Sequence, residues 1–378
     1  MQNYLENPAL NPFPWYRKMR QTDPVNLSSR YYAWQVFRYE DVQRVLTDWN
    51  IFSSNFSGGT GRDPLSASLI TLDPPRHRQL RNLVTQAFTP RAVALLAGRV
   101  GAIVDELVSP VLPTGRMDII GDLAYPLPVI VIAELLGIPA RDRERFKRWS
   151  DAIVGADNSG VFDPQREMSQ YFMEMIELRR KEPQDDLISD LLRAEIDGEH
   201  LTMQELLGFC ILLLVAGNAT TTNLIGNAFL CFDEMPEVIG QLQADPALIP
   251  AAIEEVLRYL SPVQQMYRRA TQDVELAGHP VKAGQMLVAW IGSANRDESQ
   301  FSEPDRFDLT RTPQKHLAFG HGIHYCVGAP LARLEARIAL TYMLDQMHNI
   351  RRDQSISLEP TGSSLVFGVK HLPVHFEG

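Results

Sequence analysis

At 378 residues, 45% of them hydrophobic and 22% charged, the chain is long enough to close a large core. Its formal charge of -10, with the basic residues dispersed, excludes a nucleic-acid-binding surface, because phosphate recognition needs clustered cations. Three cysteines without CxxC or CxxCH spacing exclude a disulfide framework, a zinc ribbon and a covalent haem-attachment site.

The opening "MQNYLENPALNPFPWYRKM" lacks the basic segment, apolar run and small-residue cleavage site of a signal peptide, so a cytoplasmic protein is expected. "YYAWQVFRYEDVQRVL" reads as a strand turning into a helix. The glycines of "SNFSGGTGRDPLSASLI" suggest a mobile loop. "PPRHRQLR" starts a helix at its prolines, with His77 and Arg81 four apart on one face. Helical periodicity follows in "PRAVALLAGRVGAIVDELV", "DLISDLLRAEI" and "PALIPAAIEEVLRYL". Strand-like pieces cluster in "DVELAGHPVKAGQMLVAWI" and in the tail "SLVFGVKHLPVHF". No linker, repeat or low-complexity tract divides the chain. One domain over 1–378 is expected, mainly α with small β-sheets (α+β).

The longest element is expected in "LTMQELLGFCILLLVAGNATTTNLIGNAFLCFDEM". Thr202 and Glu205 form a capping-box signature at its start. The apolar run from Phe209 to Val215 is too short to span a bilayer, so a buried central helix is predicted and no membrane association. Its middle trades propensity for small and hydroxylated residues: Ala216 and Gly217, then Thr220, Thr221 and Thr222. Small residues let either a flat ligand or another helix approach the backbone, and a threonine can bond a carbonyl one turn back.

"HLAFGHGIHYCVGAPLARLEARIALTYMLDQM" places Cys326 in a glycine-rich loop just before a strongly amphipathic segment. A cysteine at a positive helix end is biased toward thiolate, a nucleophile or metal ligand, although free cysteine is often only core. Glu255 and Arg258 fall three apart on one helical face, and "EPDRF" offers Arg306 in a loop; taken singly, such pairs are ordinary surface charge.

Together, "FGHGIHYCVG" (319–328), the Glu255/Arg258 pair, "PDRF" and "AGNATT" on a long helix resemble the cytochrome P450 family, the haem-thiolate monooxygenases, and are most similar to its soluble bacterial members. The resemblance runs from "DPPRHRQLR" at Asp73 to the "GVKHLPVHF" tail. It implies the P450 fold, with haem between the central helix and the cysteine loop, and Cys326 as axial ligand of haem b (iron protoporphyrin IX). A thiolate pushes electron density onto iron and favours O–O cleavage. Ala318, Phe319, Gly320 and Gly328 would pack around the sulfur; His77, Arg81, Arg268 and His324 would hold the propionates. Strand alternation should turn Arg269 away from the haem. Ala216, Gly217, Thr220 and Thr221 would face it from the distal side. Glu255, Arg258 and Arg306 would form a structural charge network.

One position departs from the family pattern. The residue before the distal threonine is usually an acid; here it is Ala219, which can neither relay nor recruit a proton. Asn218 is adjacent, but an amide is not an acid. A proton route bypassing residue 219 is therefore expected, with Asn218, Ala219 and Thr220 as the positions that decide it. Two other readings stay open: an H2O2-driven peroxygenase, although "NATTTN" lacks the arginine those members use, and a non-catalytic haem sensor. Expected pocket walls are Phe56, Leu65, Leu69, Ile70, Val154, Leu213, Ala216, Val263, Met266, Leu365 and Val366, which suit a medium-sized hydrophobic substrate. The chain has no length for a reductase module, so electrons are expected from a ferredoxin and ferredoxin reductase, or a flavodoxin. Arg78 and Arg333 are candidate docking cations, and a monomer is expected.

Overall fold

The computed structural model describes residues 10–56, 64–142, 144–146, 148–149, 164–196, 199–312 and 315–378. Helices form most of it, and short strands gather into small sheets. The largest sheet has five strands in the order Val25–Ser28, Ala33–Val36, Met286–Ala289, Met266–Ala270, Phe52–Ser53. Met286–Ala289 runs parallel to Ala33–Val36, and the other pairings are antiparallel. A second sheet joins Arg116–Asp118 and His348–Arg352 to either side of Pro373–Glu377. Both of these sheets pair segments distant in sequence, the first joining Ala33–Val36 to Met286–Ala289 and the second Arg116–Asp118 to Pro373–Glu377.

The central helix spans Met203–Glu234 and starts where its capping box predicts. Glu205 N donates to Thr202 Oγ1 at 3.3 Å, and Thr202 N donates back to Glu205 Oε2 at 2.9 Å. The helix is long and apolar enough to cross a membrane, but 67% of its most apolar window is buried inside the fold. Around it pack Pro126–Leu135, Pro164–Lys181, Ile249–Tyr259 and Ala329–Gln346. These share one large apolar core; a smaller core lies beneath the five-stranded sheet around Phe52, Leu287 and Ile291.

One expectation changes here, and one small residue gains a packing role. "PRAVALLAGRVGAIVDELV" is two helices, Pro90–Leu95 and Ala97–Val108, because the chain turns at Leu96, whose N–H bonds Val93 O at 3.0 Å. Gly217 serves helix packing: a Cβ there would lie 3.2 Å from Ile132 Cδ1 on Pro126–Leu135, so its missing side chain makes room for that helix.

Candidate functional site

Cys326 lies between a tight loop and the helix Ala329–Gln346, whose N-cap is Gly328. The loop turns through Gly320 and Gly322, at φ +74° and +70°. At Gly322 only glycine fits twice over, since a Cβ would also lie 3.0 Å from Thr47 Cα. Cys326 N donates to Phe319 O at 2.8 Å, closing the loop on itself. Gly328 is different from the other two. Its φ of -81° is ordinary, and a Cβ would sit 3.9 Å from the sulfur, so its contribution is an N–H directed at the sulfur and not conformational freedom.

Burial pushes the Cys326 thiol up, while the N–H groups of Gly328 and Ala329 and the charges of Arg81 and Arg333 pull it down. Burial wins, against the thiolate bias read from the sequence. A bound cation would reverse the balance, since a coordinating thiol is deprotonated outright. Among the described residues no cluster of three His, Cys, Asp or Glu side chains surrounds it, so any metal here rests on the sulfur and a ligand of its own.

Four nitrogen donors gather nearby. His77 and Arg81 lie on the helix Arg76–Ala87, Arg268 on the strand Met266–Ala270, and His324 in the cysteine loop. The two imidazole rings are 4.4 Å apart. Nε2 of each is buried without a hydrogen bond, and His324 Nε2 is 4.0 Å from Asp73 Oδ1, beyond bonding range. Arg268 is buried, and the acceptor its guanidinium reaches is the carbonyl of Tyr267 at 2.7 Å. Arg269 is less buried than Arg268, as strand alternation requires.

Burial disfavours the charged form of all four groups. Burial, then repulsion from His324 and Arg81, lowers His77 to about 4, with Asp73 pulling the other way. Burial brings Arg268 down to about 10. Against its burial, Asp73 is held low by the neighbouring His324 ring and by hydrogen bonds from Ser53 and Ser54. Two guanidiniums, Arg268 buried and Arg81 half-buried, beside two orphaned imidazole nitrogens fit a ligand carrying two carboxylates.

Arg76, which the sequence reading passed over, fixes this cluster to the distal side. It makes a bidentate pair with Glu205 at 2.6 and 2.7 Å, joining the His77/Arg81 helix to the capped start of the central helix. Its place immediately before His77 was the only available signal.

On the central helix, Ala216 is exposed and Ala219 and Thr220 are partly exposed, so these three face one open space. Thr220 Oγ1 donates to Ala216 O at 2.7 Å, and Asn223 Nδ2 to Ala219 O at 2.7 Å. Asn218 and Thr221 do not belong to this face, a correction to their expected roles: both are buried, and Asn218 Oδ1 accepts from Thr222 Oγ1 at 3.2 Å. The helical period separates residues 216 and 220 from 218 and 221–222.

Of the expected pocket walls, Val263 and Val366 form an isolated β-bridge, Gln264 N bonds Leu365 O at 2.9 Å, and Met266 opens the strand Met266–Ala270 just beyond. Leu69 and Leu213 are buried; Phe56 and Ile70 are 41% and 42% exposed. Val154, the side chain of Leu65 and the glycines of "SGGTG" lie outside the described residues.

The charge network holds, with one substitution. Arg258 and Glu255 pair at 2.7 Å and both side chains are 0% exposed. Arg306 is not the third partner: its side chain is exposed beside Glu303 and only its carbonyl accepts, from Arg258 at 3.0 Å. Arg311 takes that role, with Nε 3.2 Å from Glu255 Oε1. Arg258 also donates to Asn295 O at 3.1 Å, and Asn295 Oδ1 receives Leu317 N at 2.6 Å, so the network reaches the cysteine loop. Arg333 is held in an ion pair. It binds Glu254 through two hydrogen bonds and is only partly exposed, whereas Arg78 is exposed.

The cytochrome P450 family model matches residues 143–368. Cytochrome P450 109 of Bacillus spizizenii is 46% identical, over 98% of this chain and 93% of the relative. The erythromycin C-12 hydroxylase of Saccharopolyspora erythraea is 40% identical over 95% and 93%. The crystal structure of CYP109E1 from Bacillus megaterium in complex with testosterone superposes with a TM-score of 0.92 at 42% identity, covering 99% of both chains.

Proposed function

Because the chain belongs to the cytochrome P450 family, we propose that Cys326 is the axial thiolate of its haem, that His77, Arg81, Arg268 and His324 hold the propionates, and that Ala216 and Thr220 form the distal face. The chain is a haem-dependent monooxygenase, as its relatives are, and acts on a hydrophobic substrate with O2 and electrons from redox partners. Bound haem supplies oxygen binding and reductive activation, so that one oxygen atom enters a C–H or C=C bond and the other leaves as water.

The residues divide the remaining work. Arg268 and Arg81 supply the cations that two propionates need, and the orphaned Nε2 atoms of His77 and His324 supply further donors. The single observation carrying this assignment is the convergence of these four unneutralised donors beside Cys326. Thr220 keeps its own proton on Ala216 O and turns its lone pairs outward, where it can orient water. Consuming O2 this way takes two protons per turnover, and Ala219 supplies none. The exposure of Ala216 beside Thr220 supports delivery by water along this face.

The substrate proposed is medium-sized and apolar, received between the distal face and the walls formed by Val263, Met266, Leu365 and Val366. Relatives named for testosterone binding and for erythromycin hydroxylation make steroids and macrolides the first to screen. Electrons are proposed to come from a ferredoxin and its reductase, or a flavodoxin, docking near the exposed Arg78; the protein is taken as one cytoplasmic, monomeric catalytic unit. The test is substrate-dependent O2 and NADPH consumption with a ferredoxin pair, alongside product analysis. Oxygenated product supports the reading. Spectral binding without turnover makes the chain a sensor, and product with H2O2 alone makes it a peroxygenase.

A further inference from the structure

Phe319, whose carbonyl receives the Cys326 N–H, is backed by a charged cluster that the mechanism above leaves unused. Arg333 holds its guanidinium carbon 4.5 Å from the Phe319 ring centroid. That guanidinium is fixed at three points: two bonds of 2.6 and 2.8 Å to Glu254, and one of 3.3 Å to Tyr325 Oη. Glu254 Oε2 also lies 3.1 Å from His316 Nε2. Ala318 N donates to His316 Nδ1 at 3.3 Å, which puts the imidazole proton on Nε2 and aims it at Glu254. The rings of His316 and Tyr325 flank Phe319 with centroids at 6.2 and 6.3 Å. Burial alone would push the Glu254 carboxyl up, but the bonds from Arg333 and His316 bring it to about 2, so the pair is charged at neutral pH.

We infer that Arg333 and Glu254 are positioning residues that set the reduction potential of the haem held by Cys326, with Arg333 acting across the face of Phe319. The inference rests on the assignment of Cys326 as axial ligand. A cation on a ring face is attracted by the ring's electrons, and in a partly dry site its field is weakly screened. Arg333 is among the charges favouring negative charge on the Cys326 sulfur, so it also favours the reduced, more negative state of the site. Glu254 opposes it from the far side of the guanidinium.

The sign of the effect separates charge from packing. Arg333→Gln removes the cation and exposes the site to the Glu254 charge; Glu254→Gln leaves the cation uncompensated. The experiment is potentiometric titration of the haem in wild type, Arg333→Gln, Glu254→Gln, the double variant and Arg333→Lys, at matched haem content. The potential should fall in Arg333→Gln, rise in Glu254→Gln, and return close to wild type in the double variant. Arg333→Lys should lie nearer wild type than Arg333→Gln. Equal potentials, or shifts of the same sign in both single variants, overturn the inference, the latter by showing that the loop has merely loosened. If Arg333→Gln does not retain haem, Glu254→Gln and Arg333→Lys decide by the same signs. Failure of the ligand assignment itself is distinguishable: the reduced, carbon-monoxide-bound wild type would then lack the red-shifted Soret band of thiolate ligation.

Discussion

Thr220 and its neighbour Ala219 are the positions proposed to decide proton delivery, because the first can orient water and the second has no proton to give. If water delivers the protons past residue 219, installing an acid there gains little. Ala219→Glu should change product formed per NADPH by less than about 3-fold, a small fraction of the ~100-fold or more that general acid catalysis contributes where it is needed. A large rise in coupling with unchanged substrate binding would mean that the bypass is ineffective. A second residue-scale prediction concerns His77, lowered to about 4 by burial and by its cationic neighbours. A histidine that protonates less readily folded than unfolded leaves stability intact above its unfolded pKa of about 6.5 and loses it as pH falls toward the folded value. The thermal midpoint of haem-free protein should therefore drop from pH 6.5 to 4, and His77→Gln should flatten that drop; parallel curves for the two proteins would contradict the assignment. At this scale the sequence was most legible where a motif fixes both identity and spacing, as for Cys326, His324, His77 and Arg81. It was least legible where helical phase decides, which is why Asn218 and Thr221 are turned inward while Ala216 and Thr220 face the open space.

Elements were legible wherever local signals were complete. Thr202 and Glu205 fixed the start of the central helix, and the alternation of "MYRRA" separated Arg268 from Arg269. Partners chosen by loops were not. Arg311 displaced Arg306 because the chain between residues 302 and 311 curls so that Arg311 reaches Glu255 as well as the carbonyls of Ser302 and Glu303, and no periodicity encodes such a turn. The break at Leu96 likewise left no mark in an unbroken apolar pattern. The resulting network makes a sharp energetic prediction. Glu255→Gln keeps the shape but leaves Arg258 and Arg311 with an uncompensated buried charge, which costs about 3–5 kcal/mol. Denaturant unfolding of the haem-loaded protein should show that loss; a loss under about 1 kcal/mol would mean the network is replaceable by hydrogen bonds to neutral groups.

For the whole molecule, the arrangement is a two-sided site assembled from distant parts of one chain. The central helix supplies one face, the cysteine loop the other, and Arg76 with Glu205 ties the donor-bearing helix to the first of these. The Glu255 network and the Glu254–Arg333–Phe319 cluster brace the second. The family resemblance implied this architecture from the sequence, but the pairing of Arg333 with Glu254 appears only once both helices are packed. Everything in this account turns on Cys326 as the thiolate ligand. The direct measurement is the carbon-monoxide difference spectrum of the reduced, haem-loaded protein, wild type beside Cys326→His. A red-shifted Soret band in wild type that is lost in the variant is the predicted result, and a wild-type spectrum without that band, or a variant that keeps it, would contradict the account.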